Sequence, residues 1–140
     1  MTIIYMCGIF GYVGPKNASE VVLEGLKRLE YRGYDSWGIA VVESNSTAVS
    51  GEISVNKKTG AIGDLNQQLS LPTSNVGIGH TRWATHGGIS EANAHPHSST
   101  DGSFVLAQNG ICENYLNLKE ELSSKGYKFQ SETDTEVIVR

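Results

Sequence analysis

Cysteine is scarce. Cys7 and Cys112 stand alone in 140 residues, which speaks against a secreted scaffold held by disulfides and favours a cytoplasmic protein with two unpaired thiols. Positive charge is not concentrated either. The net charge is −4 and no run of lysines and arginines occurs, so a nucleic-acid groove or an anionic membrane surface is not an expected partner. No apolar run approaches the ~20 residues that span a bilayer. The opening stretch, Met1 to Gly14, has no lysine or arginine before its apolar part and so lacks the charged start of a signal peptide. Internal repeats and low-complexity tracts are absent. What remains is a globular composition with sixteen glycines.

The segment "MCGIFGYVG", residues 6–14, is the first unusual feature. Gly8, Gly11 and Gly14 are spaced three apart, which is not the G-x-G-x-x-G of a nucleotide loop. Met6 stands where a lipid-modified cysteine is preceded by a small residue. Two readings of Cys7 stay open: a small buried hydrophobe opening a strand, or a nucleophile. If Cys7 were the first residue of the mature chain, its α-amino group, with an ordinary pKa near 7.7–8.0, would take the thiol proton. Base and nucleophile would then come from one residue.

Alternation of faces predicts strands at 7–13, 37–42, 48–55, 76–82 and 103–110. Helical spacing of Val22, Leu26 and Leu29 predicts a helix over about 18–31, with Asn17 and Glu20 as a capping box. Residues 60–75 hold a short helix at best. A second long helix is expected near 113–126, stopped by Gly126, and a third near Asp134, capped by Thr133 and Glu136. That third helix has about two turns before Arg140, is marginal on its own, and leaves Val137 and Ile138 with few partners. The domain is therefore expected to be incomplete at its C-terminus. The polar stretch 83–102 has no periodicity, and loops of that length are usually functional.

Chemistry concentrates in "LEYRGYDSWG" (29–38), "GHTRWATHGG" (79–88), "NAHPH" (93–97), "AQNGICEN" (107–114) and "SETDTE" (131–136). His80, His86, His95 and His97 fall within 18 residues, but their irregular spacing does not suit zinc. The plainer reading is loop architecture.

Together "CGIFGYVG", "LEYRGYDSWGIAVV", "GHTRWATHG", "NAHPH", "NGICEN" and "GYKFQSETDTEV" resemble the glutaminase domain of the glucosamine-6-phosphate synthases, within the class II glutamine amidotransferases. The resemblance covers residues 7–140, with 1–6 as an extension or propeptide, and the sugar-phosphate isomerase domains absent from the sequence. It implies an α+β fold, the N-terminal nucleophile hydrolase αββα sandwich of four layers. It also implies hydrolysis of L-glutamine, with ammonia passed on to aminate fructose 6-phosphate to glucosamine 6-phosphate. A downstream isomerase domain and a homodimer are implied for the full-length enzyme, and no metal or organic cofactor.

By the same resemblance Cys7 is the nucleophile, Asn109 and Gly110 form the oxyanion hole, and Arg32 lies beside the nucleophile. Arg82 and Asp134 hold the α-carboxylate and α-amine of the substrate. Trp83, Thr85 and His86 belong to a loop that folds over it. Blander readings stand beside these: an Arg32–Asp35 turn salt bridge, Asp134 as a helix-start acid, Asn109-Gly110 as a turn dipeptide. Trp37 and Cys112 depart from the family pattern, and two readings stay open: both are harmless, or a bulky Trp37 near the Arg32 loop crowds the site. The rival function is a non-catalytic remnant that keeps residues 1–6 and at most binds glutamine or a partner chain.

Overall fold

The computed structural model describes residues 6–43, 51–63 and 69–140. In chain order they form strand β1 (Gly8–Val13), helix α1 (Ala18–Leu29) running into a 3-10 turn (Glu30–Arg32), and strands β2 (Ser36–Val42), β3 (Ile53–Thr59) and β4 (Val76–Arg82). Two short strands, β5 (His97–Ser98) and β6 (Val105–Leu106), and helices α2 (Tyr115–Ser124) and α3 (Thr135–Val139) follow.

The first four strands make one antiparallel sheet in the order β1-β4-β2-β3. Alternation of side chains along β2 explains how it is covered. Trp37, Ile39 and Val41 point to one face and pack against Ala18, Val22, Leu23 and Leu26 of α1. Val22, Leu26, Ile39 and Val41 are all but sealed from solvent, and burial of each such side chain stabilises the fold by about 1.5–3 kcal/mol. Trp37 therefore belongs to the α1 side of the sheet, which favours the harmless reading over crowding of the site.

The opposite face carries His80 and Arg82 of β4, both buried. It is covered by the segment that leads into β5. Gly38 is required here, because a Cβ at this position would lie 2.3 Å from the His95 carbonyl oxygen. β5 and β6 pair antiparallel, α3 packs on both, and α2 packs on α3. The layers run helix, sheet, sheet, helices, as expected, with two strands in the second sheet among the described residues.

Several local expectations need correction. Asn17 and Glu20 do not form a capping box: Asn17 Nδ2 donates to Glu20 Oε1 at 3.0 Å, side chain to side chain, and the Ala18 N–H is satisfied by the Ser74 carbonyl at 2.7 Å. Thr133 is likewise not the cap of α3. Its hydroxyl meets His97 Nε2 at 2.9 Å, while Glu136 turns back to accept the N–H groups of Gln130 and Ser131. Val137 is buried and only Ile138 is exposed, so α3 has more partners than its length suggests.

The strand expected at 103–110 is confined to Val105–Leu106, because the chain turns away toward the site at Gln108. The polar stretch 83–102 hides the short strand β5. The third strand begins later than expected, at Ile53, and the first part of its predicted span, 48–50, lies outside the described residues. So do residues 64–68 of the expected short helix, and 69–75 are not helical.

Candidate active site

Sheet register gathers the site. Gly8 pairs with Thr81, and Ser36 with Arg82. The residue before β1, the residues before β2 and the residues after β4 therefore meet at one end of the sheet. Cys7 is placed there, half-buried, and its Sγ accepts the Trp83 N–H at 3.2 Å. Burial pushes the Cys7 thiol above its ordinary range. The Trp83 N–H opposes this, the Asp35 carboxylate adds to it, and Arg82 again opposes it. A thiol held up in this way is mostly protonated at pH 7 and needs a base before it can attack.

Asp35 does not pair with Arg32. Its carboxylate accepts the Ala84 N–H and the Ser36 hydroxyl, and its own N–H donates to the Arg82 carbonyl at 3.2 Å. It thus fixes the backbone just beyond β4. Arg32 lies outside the cavity wall, with Nη2 3.5 Å from Met6 Sδ and its carbonyl accepting the Met6 N–H at 2.9 Å. It touches the residue before Cys7, not the thiol.

Across from Cys7, Asn109 donates Nδ2–H to the Cys7 carbonyl at 2.9 Å. Gly110 follows with φ of +130°, a backbone conformation that favours glycine. A cavity of about 220 Å³ is lined by Cys7, Asn109, Gly110 and Asp134 among others. This is smaller than the ~300 Å³ at which drug-sized sites begin, and suits one small metabolite. Of the nine site residues expected from the sequence, all but Arg32 line it.

Arg82 is buried and acts as a strap in this structure. Its Nη1 donates to the Gly88 carbonyl at 3.1 Å, and Nη2 to those of His86 at 2.5 Å and Gly87 at 3.4 Å. The far end of the same loop is tied down by Glu132, which accepts the Gly88 N–H at 3.0 Å, and by Asn93, whose amide donates to the Gly88 carbonyl at 2.9 Å. The 83–88 loop is therefore fastened at both ends, with Thr85 and His86 facing the cavity between them. Asp134 is buried and accepts the Cys112 N–H at 2.6 Å. It is the N-cap residue of α3, as the helix-start reading has it, but it makes no side-chain cap there. Cys7 and Cys112 are both free.

Three of the four histidines pack in a row at the cavity, His95 stacked on His80 and edge-on to His97. The rings of His80 and His95 lie 4.3 Å apart, and those of His95 and His97 4.8 Å apart. Burial drives His80 down to about 4, partly offset by Asn109 and Gln108, and His97 down to about 3, with Lys57 adding to the effect. His95 is lowered further by burial between the other two. All three are neutral at pH 7. His95 Nδ1 accepts the Gln108 N–H at 3.3 Å. No group of three His, Cys, Asp or Glu among the described residues is placed to hold a metal ion. His86 stands apart, edge-on to Tyr115.

Sequence reasoning did not place His80, His95 and Gln108 at the site, yet they line it. The available signal was the density of histidine between 80 and 97. It could not be resolved into a face, because most of it lies in a loop without periodicity.

Among the described residues no helix is long and apolar enough to cross a membrane. Known proteins agree with the geometry. The chain is 54% identical over 136 residues to the glutamine–fructose-6-phosphate aminotransferase (isomerizing) of Pyrococcus horikoshii, covering 95% of this chain and 22% of that protein. It is 55% identical over 136 residues to the enzyme of the same name from Chlamydia trachomatis, covering 96% and 22%. The chain thus spans about a fifth of the length of these relatives. Among solved structures, the glutamine phosphoribosylpyrophosphate amidotransferase of B. subtilis matches with a TM-score of 0.75 at 32% identity, over 93% of this chain and 28% of that one. A structure described as the allosteric regulatory enzyme of purine biosynthesis matches with a TM-score of 0.76 at 33% identity, again over 93% and 28%. The fold is thus that of the N-terminal nucleophile amidotransferases. Residues 66–140 match the glutamine amidotransferase domain family, and the chain belongs to that family.

Proposed function

We propose that this chain is the glutaminase module of a glutamine–fructose-6-phosphate aminotransferase. Release of residues 1–6 frees the α-amino group of Cys7, which takes the Sγ proton. The thiolate attacks the side-chain amide carbon of L-glutamine. The C=O pair moves to oxygen, and Asn109 Nδ2–H and the Gly110 N–H receive the charge. Collapse breaks the C–N bond, the Cys7 ammonium returns its proton to the leaving nitrogen, and ammonia departs from a γ-glutamyl thioester. Water, deprotonated by the same amine, then releases glutamate. Asp134 and Arg82 take the substrate's ammonium and carboxylate, and the strapped 83–88 loop keeps bulk water from the thioester. Arg32 acts next to the position from which residues 1–6 are removed.

The observation that carries this reading is that Cys7, Asn109 and Asp134 line one small cavity, with the Asn109 amide bonded to the Cys7 carbonyl. In the full-length enzyme the ammonia would pass to a sugar-phosphate isomerase domain, within a homodimer. Support for that step is the similarity to the aminotransferases. Two free thiols favour a cytoplasmic setting.

The test is glutamate release from L-glutamine by protein whose N-terminus is verified by mass to be Cys7. Activity is expected there, and none in Cys7→Ala or in protein that retains residues 1–6. Equal glutamate release with residues 1–6 attached would remove the α-amine from the mechanism.

A further inference from the structure

An asparagine side chain has two orientations of nearly equal shape, and a half-turn exchanges its N–H₂ and its carbonyl oxygen. Only one presents N–H to charge developing near Cys7; the other presents lone pairs and repels it. Something beyond the shape of the pocket must choose, and at one end the Cys7 carbonyl accepts Nδ2–H at 2.9 Å. The other end of Asn109 meets His80, with Oδ1 2.9 Å from His80 Nε2. The Gln108 carbonyl oxygen lies 3.2 Å from the same nitrogen. A backbone carbonyl only accepts, so Nε2 carries the hydrogen, and the group facing it on Asn109 must be the oxygen. His80 Nδ1 is buried with no partner among the described residues. With the hydrogen on Nε2, that unpartnered nitrogen of the neutral ring carries a lone pair and no N–H.

The ring has no freedom to do otherwise. His80 sits in the middle of β4, is fully buried, is held by β1 on one side and β2 on the other, and stacks on His95. His95 is fixed in turn by the Gln108 N–H.

We infer that His80 is a positioning residue: its Nε2–H fixes the Asn109 amide so that Nδ2–H faces the oxygen on which charge develops. The inference rests on the reading of Asn109 as an oxyanion donor. His80 touches no reacting atom and moves no proton. Its low basicity keeps the ring neutral across the working range, so its effect is on the rate and not on the pH profile.

The test uses the full chain with Cys7 free. His80→Met and His80→Gln are close in length and differ in the donor. His80→Met should lower kcat by about tenfold or more, bounded by the ~10²–10³ that removal of an oxyanion donor costs, with KM little changed. His80→Gln should recover most of that loss. In an Asn109→Ala background His80→Met should cost nothing further, because the group it orients is gone. Equal losses in the methionine and glutamine variants, additive losses in the double variant, or an effect on KM alone would overturn the inference. If Asn109→Ala loses rate while His80→Met keeps it, this inference fails and the oxyanion reading stands. If Asn109→Ala keeps its rate, the oxyanion reading itself falls. A readout needing no substitution is the imidazole ¹⁵N spectrum of the unaltered protein. The Nε2–H tautomer of His80 is expected, and an Nδ1–H tautomer would overturn the assignment even if no variant folds.

Discussion

Asn109 and Cys7 are 102 positions apart in sequence, yet the Asn109 amide donates to the Cys7 carbonyl at 2.9 Å. The first residue ahead of the first sheet is thereby tied to the turn that follows the second. Both layers must be in place for the nucleophile and the oxyanion donor to face one another.

Asn109→Ala should accordingly lower the turnover of glutamine hydrolysis by roughly 10²–10³, the usual cost of one oxyanion-hole donor, with a small change in KM. Steady-state glutamate release reads both constants. A turnover equal to the parent's would take Asn109 off the list of catalytic residues.

Arg82→Lys should act mainly on binding. A lysine keeps the charge but cannot serve the carbonyls of His86, Gly87 and Gly88 together, nor offer a carboxylate a planar fork. Loss of one or two charge-assisted hydrogen bonds corresponds to roughly 10–100-fold in KM for glutamine. A change confined to kcat would contradict the assignment.

A glutamine-like electrophile should label Cys7 and spare Cys112. Cys7 lines the cavity, whereas at Cys112 it is the backbone N–H that meets Asp134, and the thiol lies 3.5 Å from Asn114 Oδ1. Peptide mapping after a single turnover's worth of reagent is the measurement, and label chiefly on Cys112 would exclude the proposed nucleophile.

The parts of this molecule that were legible in the sequence are those whose periodicity is enforced by a buried face. Val22, Leu26 and Leu29 mark α1 because one stripe must cover the sheet, and the alternation in β1 and β4 marks strands for the same reason. The second sheet was harder to see. β5 and β6 are two residues long, too short to show alternation, and the buried side chain they supply is a histidine, His97. The caps failed for a related cause: Thr133 and Glu136 look like a local pair, but other partners, the sequence-distant His97 and the 130–131 backbone just ahead of the helix, compete for them and win. The site was visible through its unusual motifs, and eight residues reached the cavity. What those motifs could not supply was the layer behind them. His80 reads in sequence as one histidine among four, and only the stacking of two sheets places it against Asn109.

The histidine stack also sets an acid limit on stability. The folded values of about 4 for His80 and about 3 for His97, and the further lowered His95, lie below the ~6.5 of an unfolded histidine. Below that value the unfolded chain binds protons that the folded chain refuses. Stability is therefore complete above about pH 6.5 and is lost as the pH falls toward 4 and 3, by up to ~1.4 kcal/mol per pH unit for each ring. Glu136 works in the same direction below 4.5. Burial alone would raise it, but hydrogen bonds from Ser131, the Gln130 N–H and Arg140 outweigh that and hold it at about 2. Urea melts at pH 7, 6 and 5 should show unfolding free energy falling with a slope of more than one proton. His97→Gln, which keeps an amide in reach of Thr133, should reduce that slope by about one proton. A stability that stays level between pH 7 and 5 would mean that the three rings are already protonated or solvated in the folded protein, and the neutral stack behind Asn109 would have to be abandoned.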